Sequence, residues 1–175
     1  DDVTGLPYNK SQIELKPLDE LIYVTALTVP KGSVIKYRYL KMDQTVVYEV
    51  SSFGETVEYR MYYASGNAII TDVLQGWQGS EIQHLISGFI RGTLLDEDTD
   101  QPIPDILVAA GGKRTFTDAN GNFFLEGIGQ GVHNVVFYAI DGQYRTYQQD
   151  AKIEPGMTTT ANVKLTRMPA INITF

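Results

Sequence analysis

His84 and His133 are the only histidines in the chain. Neither has a serine or carboxylate constellation at useful spacing, so isolated imidazoles offer little for catalysis or metal binding. Cysteine is absent, which removes disulfides, thiolate metal sites and cysteine nucleophiles together. The patterns G-x-S-x-G, H-E-x-x-H and the P-loop are missing as well. The densest acidic cluster, Asp96-Glu97-Asp98-Thr99-Asp100, offers the oxygen ligands a calcium ion wants, and reads equally well as a solvated charged loop. Asp118-Ala119-Asn120-Gly121-Asn122 copies the start of a calcium loop, but Gly127 stands where that loop would need glutamate. Asn120-Gly121 is therefore read as a tight hairpin. No catalytic residue, cofactor or metal ligand is assigned, and the chain is expected not to be an enzyme.

Aromatic side chains are the other candidate chemistry. The chain has 11 tyrosines against 7 phenylalanines and 1 tryptophan, and the tyrosines concentrate in the first half. An exposed row of such rings can stack on the apolar faces of sugars. Tyr37, Tyr39, Tyr48 and Trp77 are the candidates for glycan stacking. Tyr37 and Tyr39 also share one face of a strand, as core or cross-strand residues do. Trp77, flanked by glycines, is either an exposed platform or a wedge between domains, and the wedge is favoured because it buries a large apolar area.

The elements that would position these residues are strands. Helical periodicity is nearly absent, and its best candidate, Ile13–Ile22, is interrupted by Pro17. Alternating β-rich runs occur at Leu21–Val29, Val34–Leu40, Thr45–Val50, Thr56–Tyr63 and Ala68–Leu74. A second series follows at Ile86–Leu94, Asp105–Ala110, Lys113–Thr117, Asn122–Leu125, Gly131–Ala139, Gln149–Ile153 and Thr158–Leu165. The turns between them include Gly111-Gly112 and Asp141-Gly142. The glycine-rich Gln75–Ser80 is read as the junction. The expected fold is all-β: two tandem antiparallel β-sandwiches over residues 1–80 and 81–168, with an orphan strand at 169–175. A 175-residue chain with 43% hydrophobic and 20% charged residues is long and apolar enough for both. The net charge of −7 is spread along the chain without a basic patch, which argues against nucleic acid as a partner. No apolar run approaches the roughly 20 residues that span a bilayer.

The second half carries Ile86-Ser87-Gly88-Phe89-Ile90, Gln101-Pro102-Ile103-Pro104-Asp105, Thr117-Asp118-Ala119-Asn120-Gly121-Asn122-Phe123, Leu125-Glu126-Gly127-Ile128 and Gly131-Val132-His133-Asn134-Val135. In order and spacing it resembles the carboxypeptidase regulatory-like family of prealbumin-type sandwiches. That resemblance implies a non-catalytic module of a secreted or surface protein. Related adhesin domains often carry a Lys–Asn isopeptide crosslink. Phe89 and Arg91 on the first strand supply no lysine, so the bond is not carried over to Asn162. The first half, through Pro30, Gly32, Ile35-Lys36-Tyr37-Arg38-Tyr39 and Val47-Tyr48-Glu49, resembles starch-binding-type carbohydrate modules. It departs by placing Tyr48 where that family usually has tryptophan, and by having about a dozen residues where two leading strands would stand.

A sandwich short of a strand exposes unpaired backbone groups and favours strand addition from another chain. Ala170–Phe175 supplies a spare alternating strand, with Ile171, Ile173 and Phe175 on one face. The expectation is that this strand completes the first domain of a neighbouring subunit, giving a head-to-tail filament or surface layer. Asn172-Ile173-Thr174 fits a glycosylation acceptor, which a buried donor strand would not tolerate. The alternative is a pair of carbohydrate-binding modules from a larger secreted enzyme or adhesin, with a polysaccharide as partner. Both readings place the protein outside the cell or on its surface, without a cofactor.

Overall fold

The computed structural model describes residues 11–42, 44–80 and 87–169. No helix occurs among them, and the fold is all-β, as expected. In the first half β1 (Lys16–Asp19) and β2 (Ile22–Val24) pair as an antiparallel hairpin whose residues are all exposed. β3 (Val34–Tyr37) pairs with β6 (Arg60–Tyr63). β4 (Leu40–Met42), β5 (Val46–Val50) and β7 (Gly76–Trp77) make a second small sheet with β5 in the centre.

Three expectations change here. The run Val34–Leu40 is not one strand, because it leaves one sheet at Tyr37 and enters the other at Leu40. The corner is held by Tyr39, whose N–H donates to Glu49 Oε1 at 3.1 Å instead of to a ladder partner. Of Leu21–Val29 only Ile22–Val24 is regular, and Ala68–Leu74 forms no strand. Within that last stretch Asp72 and Val73 accept hydrogen bonds from the Arg60 side chain. Side-chain chemistry overrides the β pattern there.

The second half follows its sequence closely. β8 (Gly88–Asp96), β9 (Ile106–Ala110), β10 (Lys113–Phe116), β11 (Asn122–Ile128), β12 (Gly131–Ala139) and β13 (Tyr147–Ile153) precede two short strands, β14 (Thr158–Thr160) and β15 (Val163–Leu165). One sheet has the order β10-β9-β12-β13, and the other places β8 between β11 and the pair β14, β15. Gly111 and Gly112, at φ of 55° and 81°, make the two-residue turn between β9 and β10 that their sequence predicts. Asn120-Gly121 is not a hairpin between paired strands, since it links β10 in one sheet to β11 in the other. Asp118 fixes that link, its Oδ1 accepting the N–H groups of Asn120 and Asn122 at 2.9 and 2.8 Å.

The all-antiparallel expectation is also corrected, for β14 and β15 both run parallel to β8. Between them the chain passes so close to Gly92 that a Cβ there would lie 2.0 Å from the Ala161 carbonyl oxygen. Asn162 turns its Oδ1 to the Thr93 N–H at 3.0 Å, replacing a ladder bond the interrupted strand would have supplied.

Alternation breaks down in Ile106-Leu107-Val108-Ala109-Ala110, where every residue is buried. A strand apolar on both faces must be covered on both faces. Ile106, Val108 and Ala110 face the sandwich core with Phe137, Ile90 and Leu94. Leu107 and Ala109, with Val136 of β12, instead pack against Met61 of β6. The first half therefore lies over the outer face of the β9–β12 sheet. Its residues Ser52, Val57 and Gln75 approach Gly127, Gly112 and Gly129 at the end of the sandwich where β8 begins.

Candidate functional site

The largest polar cluster sits in the first half, on residues that its strands bring together from distant positions. Glu49 (β5) is 0% exposed and Arg60 (β6) 4%. Arg60 Nη2 donates to Glu49 Oε2 at 3.0 Å, and Nη1 donates to Asp72 Oδ1 at 3.2 Å. The other Asp72 oxygen accepts both tyrosine hydroxyls, from Tyr37 at 2.7 Å and from Tyr39 at 2.9 Å. One guanidinium thus stands between two carboxylates, and two phenols complete the shell. Burial, then the adjacent Asp72 carboxylate, drives both phenols far above their ordinary range. Neither is an available base, and the cluster's donors and acceptors are spent on one another. Such a network fixes a fold rather than performing a reaction.

His133 lies at the end of the sandwich that faces the first half, beside Gly111 and Gly129. It is 4% exposed, and its Nε2 donates to the Gly129 carbonyl at 2.7 Å. That bond sets the tautomer of the neutral ring, with Nδ1 turned toward Gly111. Burial holds the imidazole below its usual value, Arg60 adds to that effect, and the Gly129 bond and Asp72 oppose it. A histidine depressed in the folded state binds its proton better when unfolded. Its stabilisation is therefore complete above about pH 6.5 and is lost as pH falls through the folded value. Thermal unfolding of the wild type should drop in midpoint between pH 7.5 and 5.5, and His133→Gln should abolish that step. An unchanged step in the variant would remove His133 from the account.

The acidic loop is exposed from Glu97 to Asp100, as its sequence suggests, but it is anchored by a buried carboxylate at the end of β8. Asp96 is 2% exposed. Its Oδ1 caps the N–H groups of Asp98 and Thr99 at 3.1 and 3.0 Å. Its Oδ2 accepts the Tyr144 hydroxyl at 2.9 Å and Arg167 Nε at 3.1 Å. The Tyr144 hydrogen bond above all holds the carboxyl well below the usual carboxylate range. Glu97 accepts from Thr166, and Asp100 pairs with Lys164. These carboxylates clip the last strand to the sandwich. No group of three or more metal-ligating side chains occurs among the described residues.

The sequence-derived stacking residues come to different ends. Tyr37 and Tyr39 meet edge to face at 5.8 Å with their hydroxyls turned inward onto Asp72. Tyr48 carries the Arg38 guanidinium over its ring, 4.4 Å from the centroid. Trp77 is half-buried and pairs with Glu49 in the β5–β7 ladder, inside the segment read as the junction. The contacts that join the halves run through Ser52, Val57, Met61 and Tyr63 instead. His84 and the assembly residues Ile171, Ile173 and Phe175 lie outside the described residues. Sequence reasoning missed Arg60, Asp72 and Glu49 as a unit. Their one signal is a charge set among apolar neighbours, Val-Tyr-Glu-Val and Tyr-Arg-Met-Tyr, at strand positions that point inward.

This architecture defines a β-sandwich module whose charged groups serve its own fold. Residues 89–166 match the model of the carboxypeptidase regulatory-like domain, in agreement with the resemblance of the second half. That family is regulatory in name rather than catalytic. No curated protein matches the chain. Among solved structures, GBS52, the minor pilin of Streptococcus agalactiae, is 15% identical with a TM-score of 0.41, covering 52% of this chain and 49% of that one. A streptococcal ancillary pilin is 11% identical with a TM-score of 0.40, covering 84% and 50%. BcpA, the major pilin subunit of Bacillus cereus, is 13% identical with a TM-score of 0.38, covering 81% and 41%. The chain spans half or less of the length of each of these structures.

Proposed function

We propose that this chain is a non-catalytic structural module of an extracellular or cell-surface assembly, joined to its neighbours by strand addition through Ile171, Ile173 and Phe175. The carrying observation is the imbalance between the halves. Among the described residues, only five of the 25 buried apolar ones lie before residue 80, yet 13 of the 20 exposed large apolar ones do. Leu21 is 92% exposed and Ile69 97%. Soluble monomers rarely leave so much apolar surface uncovered, and such surface marks an interaction site. An isolated two-stranded hairpin such as β1–β2 is also marginal in water unless something packs on it.

Direction supports a head-to-tail arrangement. The first half docks at the end of the sandwich where β8 begins, while Met168 bonds to Gln143 beside the Asp96–Tyr144–Arg167 clip at the end where β8 stops. Met168 thus stands at the pole opposite the docked face. The test is negative-stain imaging and size-exclusion of the full chain beside a copy lacking 170–175. Polymers or a ladder of oligomers should form and disappear on truncation. Identical monomeric behaviour of the two would sink the proposal.

A further inference from the structure

A groove of about 590 Å³ runs between the halves, walled by Glu55, Thr56 and Glu58 on one side and by Phe124 and Glu126 of β11 on the other. Along it lies β10, an outermost strand of its sheet, paired only with β9. β11 is likewise outermost in the opposite sheet, so two strand edges without a partner among the described residues flank one groove. Thr117 N–H donates inward to the Ile106 carbonyl, so by alternation the backbone groups of Arg114 and Phe116 point outward. The first-half segment beside them does not pair with β10 through backbone bonds among the described residues. It is held by two exposed glutamates, Glu55 on Lys113 and Glu58 on Arg114. Phe124 stands half-exposed at the wall, stacked on Phe89 with 5.7 Å between centroids.

We infer that this groove is the acceptor site, in which the Ile171–Phe175 segment of a second copy pairs with the outer edge of β10. The inference rests on the strand-addition reading above and adds where the strand goes. Three observations select this occupant. The outward edge needs backbone donors and acceptors at strand spacing, which an extended segment supplies and a compact ligand does not. Both cations of the groove, Lys113 and Arg114, are already paired with glutamates, and Glu126 adds a negative charge, so nothing there recruits an acidic ligand and an uncharged segment is preferred. Ile171, Ile173 and Phe175 recur at the period that puts them together on one side of an extended segment, as an apolar wall such as Phe124 calls for. A second copy is implied because Pro169 follows the clip beside Tyr144, whose neighbouring strand β13 is the edge of the sheet farthest from β10.

Arg114→Pro, in the full chain, removes the outward N–H while an edge strand tolerates the ring. Arg114→Ala removes the side chain but keeps that N–H. Phe124→Glu charges the wall at an exposed position and leaves β10 intact. Circular dichroism and melting check each fold. The expected result is assembly by wild type and Arg114→Ala, with association weakened on the order of tenfold or more in Arg114→Pro and Phe124→Glu. Wild-type assembly by both Arg114→Pro and Phe124→Glu would overturn the acceptor site while leaving strand addition standing. Failure of the wild type itself to assemble would instead remove strand addition, and this site with it. Should Arg114→Pro unfold, Phe124→Glu decides alone.

Discussion

Arg60→Ala should destabilise the protein by about 3–5 kcal/mol, because it leaves the buried Glu49 and the half-buried Asp72 without their shared cation. Glu49 has no exposure at all and receives three guanidinium hydrogen bonds, from Nε to both oxygens and from Nη2. Removing the cation leaves that carboxylate buried without its counter-charge. For a chain of this size the midpoint at neutral pH should fall by roughly 6–20 °C. Chemical denaturation and thermal melting at neutral pH check both statements. A loss under about 1 kcal/mol at pH 7 would mean that the cluster is wetter than its geometry states.

The second large effect is expected in the other half. Gly92→Ala places a Cβ 2.0 Å from the Ala161 carbonyl oxygen and 2.7 Å from the Phe123 ring. The first of these is backbone of the link between β14 and β15, which cannot swing away as a side chain would. The clash must push β14 and β15 off β8, and with them Val163 and Leu165 out of the core. The cost should be about 3 kcal/mol or more, at the upper end of overpacking. Hydrogen exchange should show lost protection at Ala161, whose N–H donates to the Arg91 carbonyl, ahead of the β9–β12 ladder. Wild-type melting of Gly92→Ala would contradict the close approach.

These two sites also mark what the sequence discloses and what it hides. The second half was legible because each of its signals is local. Gly111-Gly112 is a turn on its face, the alternation of Asn122–Leu125 is clean, and the Pro102-Ile103-Pro104 segment breaks where it should. Its parallel strands were not legible, since strand direction is decided by where the chain returns rather than by any residue in Thr158–Leu165. Ile106–Ala110 held an unread clue, as five apolar residues in a row leave no solvent face and require a cover on each side. The first half misled for a physical reason. Val34–Leu40 and Ala68–Leu74 have the composition of strands, but Tyr39 and Asp72 bond to charges that lie 10 and 12 residues away. Pattern reading weighs side chains by polarity, and cannot know that a glutamate and an arginine will meet inside. Asp96 shows the same limit, a buried anchor that stands within a run reading as solvated. Tyr37 and Tyr39 converge on one aspartate even though the strand expected to hold both ends at Tyr37.

The account depends on one contrast: a second half that closes its own core, and a first half whose apolar side chains look for cover elsewhere. Sedimentation equilibrium of the full chain over a wide range of concentration tests this most directly. The account predicts an average mass that starts near the 19.5 kDa of one chain and climbs without reaching the plateau of a closed oligomer. A mass fixed at 19.5 kDa throughout, from a protein whose first half stays folded, would contradict it.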